Sequence, residues 1–409
     1  MSPSPDVPLF GSRQATRTLA LITALVSLGA LSMSLYVPSL PAIQREFAVG
    51  PDAVQRTLTF FLIGFAGAQL VIGPASDAFG RRPVLLVGLF AYAGAGVFCA
   101  MAPDILSLTL ARFVQGFTAC VGPVVGRAVV RDLFEGPAAA RAFGLVGTAI
   151  AIVPALGPIL GGAIQARLGW EAAFLTLAAI GIALAGISVL RLRETIATRI
   201  ADAMRPGRLV AIYWSLLRNG HFLGHAMAGA FLFGGFFAYF SDAPFLFIDE
   251  LGIAPDIFGF LMVFTVGGYA SGAFLSGRLV GRWGTRRVIL AGTLCSVVAA
   301  MLLIALSGDL SVPRVIAPMC LFTLGFGLTL PASLAGALGP FPRVAGSASA
   351  MLGFIQMSAA SLSSLMVQPL YDGTATPLGF VVLGMSATAF LGYLLLTRGE
   401  GGAAGEGAR

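Results

Sequence analysis

Twelve stretches of roughly twenty apolar residues punctuate this chain, each bounded by Arg, Pro, Gly or an acid, and nothing else in the sequence restricts its folding so severely. They fall near 17–39, 53–73, 83–102, 105–130, 139–165, 171–191, 220–241, 256–277, 287–307, 313–334, 344–368 and 377–397. A helix of about 20 residues crosses the roughly 30 Å hydrocarbon core of a bilayer. In that medium every backbone amide and carbonyl must be satisfied inside the protein, which a helix does within a single segment. The sequence therefore predicts an all-α membrane protein with twelve transmembrane helices. Composition agrees, since 57% of the 409 residues are apolar and only 11% are charged, against about 25% in an ordinary soluble domain. The first stretch is too long, and lacks the small-residue cleavage site, to be a removable signal peptide, so it is expected to stay as an anchor.

All 25 basic residues are arginines, and with 18 acids they leave a net charge of +7. They are dispersed in short clusters between apolar runs, as orientation signals are, so no nucleic-acid partner is expected. With the N-terminus inside, nineteen arginines collect on one side, whereas the opposite loops hold only Arg45, Arg56, Arg167 and Arg314. That asymmetry predicts a multi-pass protein of the cell (inner) membrane with both termini cytoplasmic. The expected organisation is a tail at 1–16, six helices over 17–191, a basic linker at 192–218, six more helices over 219–397 and a tail at 398–409. The linker contains Ile212, Tyr213, Trp214, Leu216 and Leu217, which suits a short interfacial helix. Cys99, Cys120, Cys295 and Cys320 all lie in apolar runs, as small packing residues do, and form no metal-binding spacing.

The two sixes look like copies. Gly73, Asp77, Gly80, Arg81 and Arg82, placed in the loop after span 2, align with Gly277, Gly281, Gly284, Thr285 and Arg286 after span 8, at an offset of 204. Arg112-Phe113 with Gln115-Gly116-Phe117 in span 4 falls on Leu321-Phe322 with Leu324-Gly325-Phe326 in span 10, at 209, and Pro38 falls on Pro244 at 206. Three matches near one offset predict two pseudo-symmetric six-helix halves, an arrangement that carriers use to rock around a central site.

Gly73, Asp77, Gly80, Arg81 and Arg82 form a GxxxDxxGRR motif, and with the twelve-span pattern the sequence resembles the major facilitator superfamily over residues 17–397. The resemblance implies that Asp77 faces the N-terminus of helix 11, and that Arg81 joins it in a cluster closing the cytoplasmic side. A carboxylate is stabilised there by the positive end of the helix dipole. The second copy has Gly281 in place of Asp77, so the latch is expected to be stronger in the first half.

Arg112, Gln115 and Gly116 make an RxxQG pattern similar to a second motif of the superfamily, where such arginines are tied to proton transfer. An arginine inside a span faces a polar interior or, near a span end, snorkels to the interface, and both readings are open for Arg112. Arg127 and Arg131, with Asp132, are expected to snorkel and orient the cytoplasmic end of the same span. Gly157, Pro158, Gly161 and Gly162 resemble the GPxxGG hinge of proton antiporters, for which Gly267, Gly268, Ser271, Gly272 and Ser276 of span 8 offer a matching small-residue face. The run Met33 to Pro41, Ala128 to Leu133 and Ala345 to Gly353 resemble the Bcr/CflA drug-resistance branch, with one departure. Ser34 stands where that branch carries an acid in span 1.

Asp242, near the repeat-related position of Tyr36, is the candidate replacement: it either faces the cavity and exchanges protons or caps the end of span 7. His221 and His225 share a helix face at the start of span 7, where interfacial hydrogen bonding is favoured over a metal site because no third ligand is evident.

By resemblance to the fold, spans 1, 4, 7 and 10 line the cavity. Tyr36, Gln115, Phe231, Phe236, Phe237, Tyr239, Phe322 and Phe326 would supply weakly polar, aromatic walls, with Ser34 also a cavity residue. The function implied is proton-coupled export of small amphipathic organic compounds by a monomer, with the proton as coupling ion and no cofactor. A narrow-specificity or proton-independent carrier of the same fold is the alternative that Ser34 suggests. The loops hold no DxxxD or His/Asp constellation of a membrane enzyme.

Overall fold

The computed structural model describes residues 13–134, 136–196, 198–341 and 344–397. Residues 1–12 of the expected N-terminal tail and the expected tail at 398–409, with Arg343, lie outside them, while residues 13–16 already belong to the first helix. Among the described residues, twelve helices are long and apolar enough to cross a membrane. Spans 1 to 6 are Thr16–Phe47, Pro51–Phe79, Arg81–Ala100, Ile105–Leu133, Arg141–Leu168 and Glu171–Arg191. Spans 7 to 12 are Gly220–Glu250, Pro255–Trp283, Thr285–Leu306, Val312–Leu338, Ala345–Leu370 and Thr376–Leu396. A separate helix, Pro206–Leu217, carries Trp214 and Leu216 of the linker.

Several spans run beyond their apolar stretches, because the helix, unlike the hydropathy, has no reason to stop where the hydrocarbon ends. Span 2 continues to Phe79, which corrects the placement of Gly73 and Asp77 in a loop: both are helical, and the turn is Gly80 alone. Span 7 continues through Pro244 into a wider, π-helical turn at Phe245–Glu250, so Asp242 lies inside the span. Span 1 breaks at Leu35-Tyr36 and resumes as Leu40–Phe47, where Pro38 and Pro41 remove backbone donors. Outward-facing side chains such as Phe90, Phe264 and Phe274 are more than half exposed, the polarity expected when the surrounding solvent is lipid.

The chain sorts into two compact units. The first comprises the described residues to Val49, Phe60–Pro206 and Pro255–Gly259; the second comprises Gly50–Thr59, Gly207–Ala254 and the described residues from Phe260. This differs from a simple cut in the linker, because nine residues of span 2 belong with the second unit and five of span 8 with the first. Within the first unit span 1 packs on spans 4 and 5, and span 3 on spans 4 and 6. Within the second, span 7 packs on spans 10 and 11, and span 9 on spans 10 and 12. Adding six to each number of the first set gives the second. The repeat also extends to single dihedrals: Gly80 (φ 105°, ψ 150°) and Gly284 (φ 79°, ψ 154°), 204 positions apart, adopt the same left-hand-side conformation before a helix. Residues with a Cβ rarely take it, which is why both copies keep glycine there.

Candidate functional site: a buried cation and a buried carboxylate

Arg112 is fully buried in the first unit. Its Nη1 donates to Gln115 Oε1 at 2.6 Å, one turn further along span 4. Nη1 and Nη2 also approach the Ser32 carbonyl at 3.5 and 3.4 Å. The guanidinium carbon lies 4.1 Å from the centre of the Tyr36 ring and 4.2 Å from that of Phe61, so the plane of charge is held between two aromatic faces. Gly116 makes this possible, because a Cβ there would collide with the Phe61 carbonyl of span 2. No carboxylate pairs with Arg112 among the described residues, and its Nε is buried without a partner. The structure thus overturns the snorkelling alternative, since Arg112 points into the unit. Ser32, which also bonds the Tyr92 hydroxyl at 2.6 Å, and Phe61 and Phe174 are members of the cluster that the sequence did not single out.

In the second unit Asp242 is 1% exposed, and Gln55 Nε2 donates to its Oδ1 at 3.3 Å. Asp242 does not cap span 7, because the helix continues past it to Glu250; that alternative is excluded. One turn beyond Gln55, Thr59 donates to Ser364 Oγ at 3.0 Å and accepts from Gln368 Nε2 at 2.8 Å. Gln55 and Thr59 of span 2, with Ser364 and Gln368 of span 11, therefore make a polar track beside the carboxylate. The sequence reading did not single these residues out; their i, i+4 spacing on spans 2 and 11 was the available signal. Past span 11, the Tyr371 hydroxyl donates to Glu250 Oε1 at 3.2 Å. Burial first, and then the charges of Asp242, Glu250 and Asp249, push its pKa well above the usual tyrosine range, so it stays a donor.

The remaining candidates fall into three groups. Tyr36 and Gln115 belong to the Arg112 cluster. Ser34, expected in the cavity, is 2% exposed, bonds back to the Ala30 carbonyl at 3.0 Å and packs on Gly157 of span 5. Phe236 stacks on Phe240 (5.6 Å) and Phe326 (6.1 Å), and Phe237 meets Phe233 at a tilt (4.8 Å), so these rings form one aromatic cluster in which Phe236 is half-buried. Tyr239 is fully buried nearby on span 7, as is Phe322 on span 10.

The hinge motif packs on span 1 and on the start of span 8. Cβ atoms at Gly157 and Gly161 would collide with Ser34 and with the Leu35 carbonyl, and one at Gly162 with the Pro255 carbonyl. The expected match with the small-residue face of span 8 is corrected: Gly268 and Gly272 abut the Cys320 and Leu324 carbonyls of span 10. At the start of span 8, Pro255 meets Gly162 and Gly259 meets Pro158.

Around the GxxxDxxGRR motif, Arg81 is buried and ion-paired with Asp77, bonds Ser76 Oγ at 2.7 Å and bonds Asp132 Oδ2 at 3.0 Å. Asp132 thus anchors Arg81, a role the sequence reading missed. Glu194, from the linker, accepts from the backbone amides of Arg81 (2.9 Å) and Arg82 (3.2 Å), capping the first turn of span 3. An acid inside an arginine-rich connector was the available signal. Arg127 donates to the Pro123 carbonyl at 2.9 Å. His221 bonds the Gly336 carbonyl at 3.0 Å, and His225 bonds the His221 carbonyl at 2.9 Å.

Twelve apolar helices in two units of identical packing pattern, one enclosing a cation and the other a carboxylate, define a membrane transporter built by duplication. The chain belongs to the Major Facilitator Superfamily, whose sequence profile matches residues 22–364. It is 34% identical to the uncharacterized MFS-type transporter YdgK of Bacillus subtilis (strain 168), over 92% of this chain and 94% of that one. It is 31% identical to a chloramphenicol resistance protein of Pseudomonas aeruginosa, over 94% and 91%. The fold is shared with a bacterial homolog of the human lysosomal transporter Spinster, at a TM-score of 0.73 and 16% identity, covering 95% of this chain and 98% of that one.

Proposed function

We propose that this transporter exports small, amphipathic organic compounds by proton antiport and alternating access, with Asp242 as the proton-carrying group and Arg112 as the fixed charge that tunes substrate and proton binding. The observation that carries the reading is Asp242 itself: a carboxylate 1% exposed inside an apolar span, met by an amide rather than by a cation. A buried ionised carboxylate without an ion pair is costly, and an acid that gains and loses a proton during the cycle escapes that cost in one of its states. Ser34 supports placing the proton on span 7, because the span 1 position has no ionisable group and its hydroxyl is bonded to its own helix. The kinship with a chloramphenicol resistance protein supports a drug-like substrate, as does the aromatic cluster around Phe236. The arginine asymmetry supports cytoplasmic termini and an inner-membrane location, and a single chain is the proposed working unit.

Coupling demands that proton and substrate favour different states, since equal affinity for both shifts nothing. In proteoliposomes, an imposed pH gradient is expected to drive accumulation of chloramphenicol or ethidium by the wild type, and not by Asp242→Asn. Gradient-independent flux in the wild type would favour the proton-independent carrier instead.

A further inference from the structure

We propose that a basic cleft at the arginine-rich end of the first unit binds the phosphodiester headgroup of an anionic phospholipid. After span 6 ends at Arg191 the chain folds back over the start of span 3, and Glu194 ties down that fold. The fold encloses a cleft of about 450 Å³ lined by Arg82, Arg191, Arg193, Arg199 and Glu194. Glu194, the one carboxylate on its wall among the described residues, is occupied by the backbone amides of Arg81, Arg82, Thr195 and Ile196. Among the described residues, the cleft is thus lined by four arginines and by one carboxylate whose oxygens are already engaged. Arg82 Nη2 bonds the Val189 carbonyl at 2.9 Å, while its Nε is buried without a partner.

The position selects the ligand. Arg82 opens span 3 and Arg191 closes span 6, so the cleft sits where hydrocarbon gives way to headgroups. Leu190, also on its wall, is 83% exposed and offers an apolar edge continuous with the lipid-facing surface. A phosphodiester with acyl chains satisfies both the guanidinium fork and that edge; a free anion uses only the first. A zwitterionic headgroup brings its own cation toward four arginines.

Native mass spectrometry of the detergent-purified full chain, titrated with dioleoyl phosphatidylglycerol, dioleoyl phosphatidylcholine or inorganic phosphate, tests this, with thermal denaturation in parallel. Phosphatidylglycerol is expected to bind and to raise the melting temperature, while phosphatidylcholine and phosphate do neither. The triple variant Arg191→Gln, Arg193→Gln, Arg199→Gln is expected to weaken binding by about a hundredfold, roughly fivefold per arginine, and the corresponding lysine variant to retain most of it. Should the triple variant not fold, Arg199→Gln alone, on the exposed linker, is expected to show about a fivefold loss. Equal phosphatidylglycerol binding by wild type and glutamine variants would overturn the proposal, and so would equal binding of phosphatidylcholine. Stabilisation by inorganic phosphate alone would reassign the cleft to a free anion and overturn it as well.

Discussion

The side-chain amide of Gln55 donates to Asp242 across 187 positions of sequence, at 3.3 Å, and both residues are buried. The bond is a reporter of charge. An ionised carboxylate accepts from Nε2 more strongly than a neutral carboxyl does, and the neutral form can in addition donate to Gln55 Oε1, which is buried and without a partner. Gln55→Ala removes both options. The variant is expected to lose about 1–3 kcal/mol of stability, with a larger loss at pH 8 than at pH 5, because the charged carboxylate depends more on its donor than the neutral acid does. Thermal denaturation at the two pH values checks this; an equal loss at both would show that Asp242 does not change protonation there.

Arg112 tests shape as well as charge. A lysine keeps the cation but cannot lie flat between Tyr36 and Phe61 while donating to Gln115 and Ser32. Arg112→Lys is expected to reduce gradient-driven transport by at least about tenfold, equivalent to roughly 1.4 kcal/mol, with little loss of expressed, folded protein. Transport near the wild-type level would mean that charge alone suffices.

The hinge glycines differ in what obstructs them. An added methyl at Gly157 meets a side chain, Ser34, whereas one at Gly161 meets backbone, the Leu35 carbonyl. Both alanine variants are expected to lose about 1–3 kcal/mol from overpacking. Ser34→Gly should rescue Gly157→Ala and leave Gly161→Ala unimproved. A double-mutant cycle on melting temperature measures the difference.

Arg81 is buried between two carboxylates, so removing it leaves Asp77 and Asp132 facing each other without a cation. Arg81→Ala is expected to cost about 3 kcal/mol. Glu194→Gln, which weakens only a helix cap, is expected to cost about 1 kcal/mol. Protease accessibility of the linker should rise with the second variant as Glu194 releases the amides of Arg81 and Arg82.

The sequence by itself determined the twelve helices, their duplication and the two lone charges within them. Lipid forces each span to satisfy its own backbone, so the length and period of apolar runs report the fold almost directly. The Gly80 and Gly284 turns were equally legible, because their dihedrals leave little choice but glycine. Partners were not legible. That Arg112 turns inward instead of snorkelling, that Asp242 meets Gln55, and that Glu194 caps span 3 depend on which face of each helix turns toward which neighbour. Hydropathy in a bilayer barely distinguishes those faces, since lipid-facing and protein-facing residues are both apolar. Only close packing, set by where glycines let backbones approach and where buried polar groups find donors, decides the rotation of each helix and hence the chemistry in its interior.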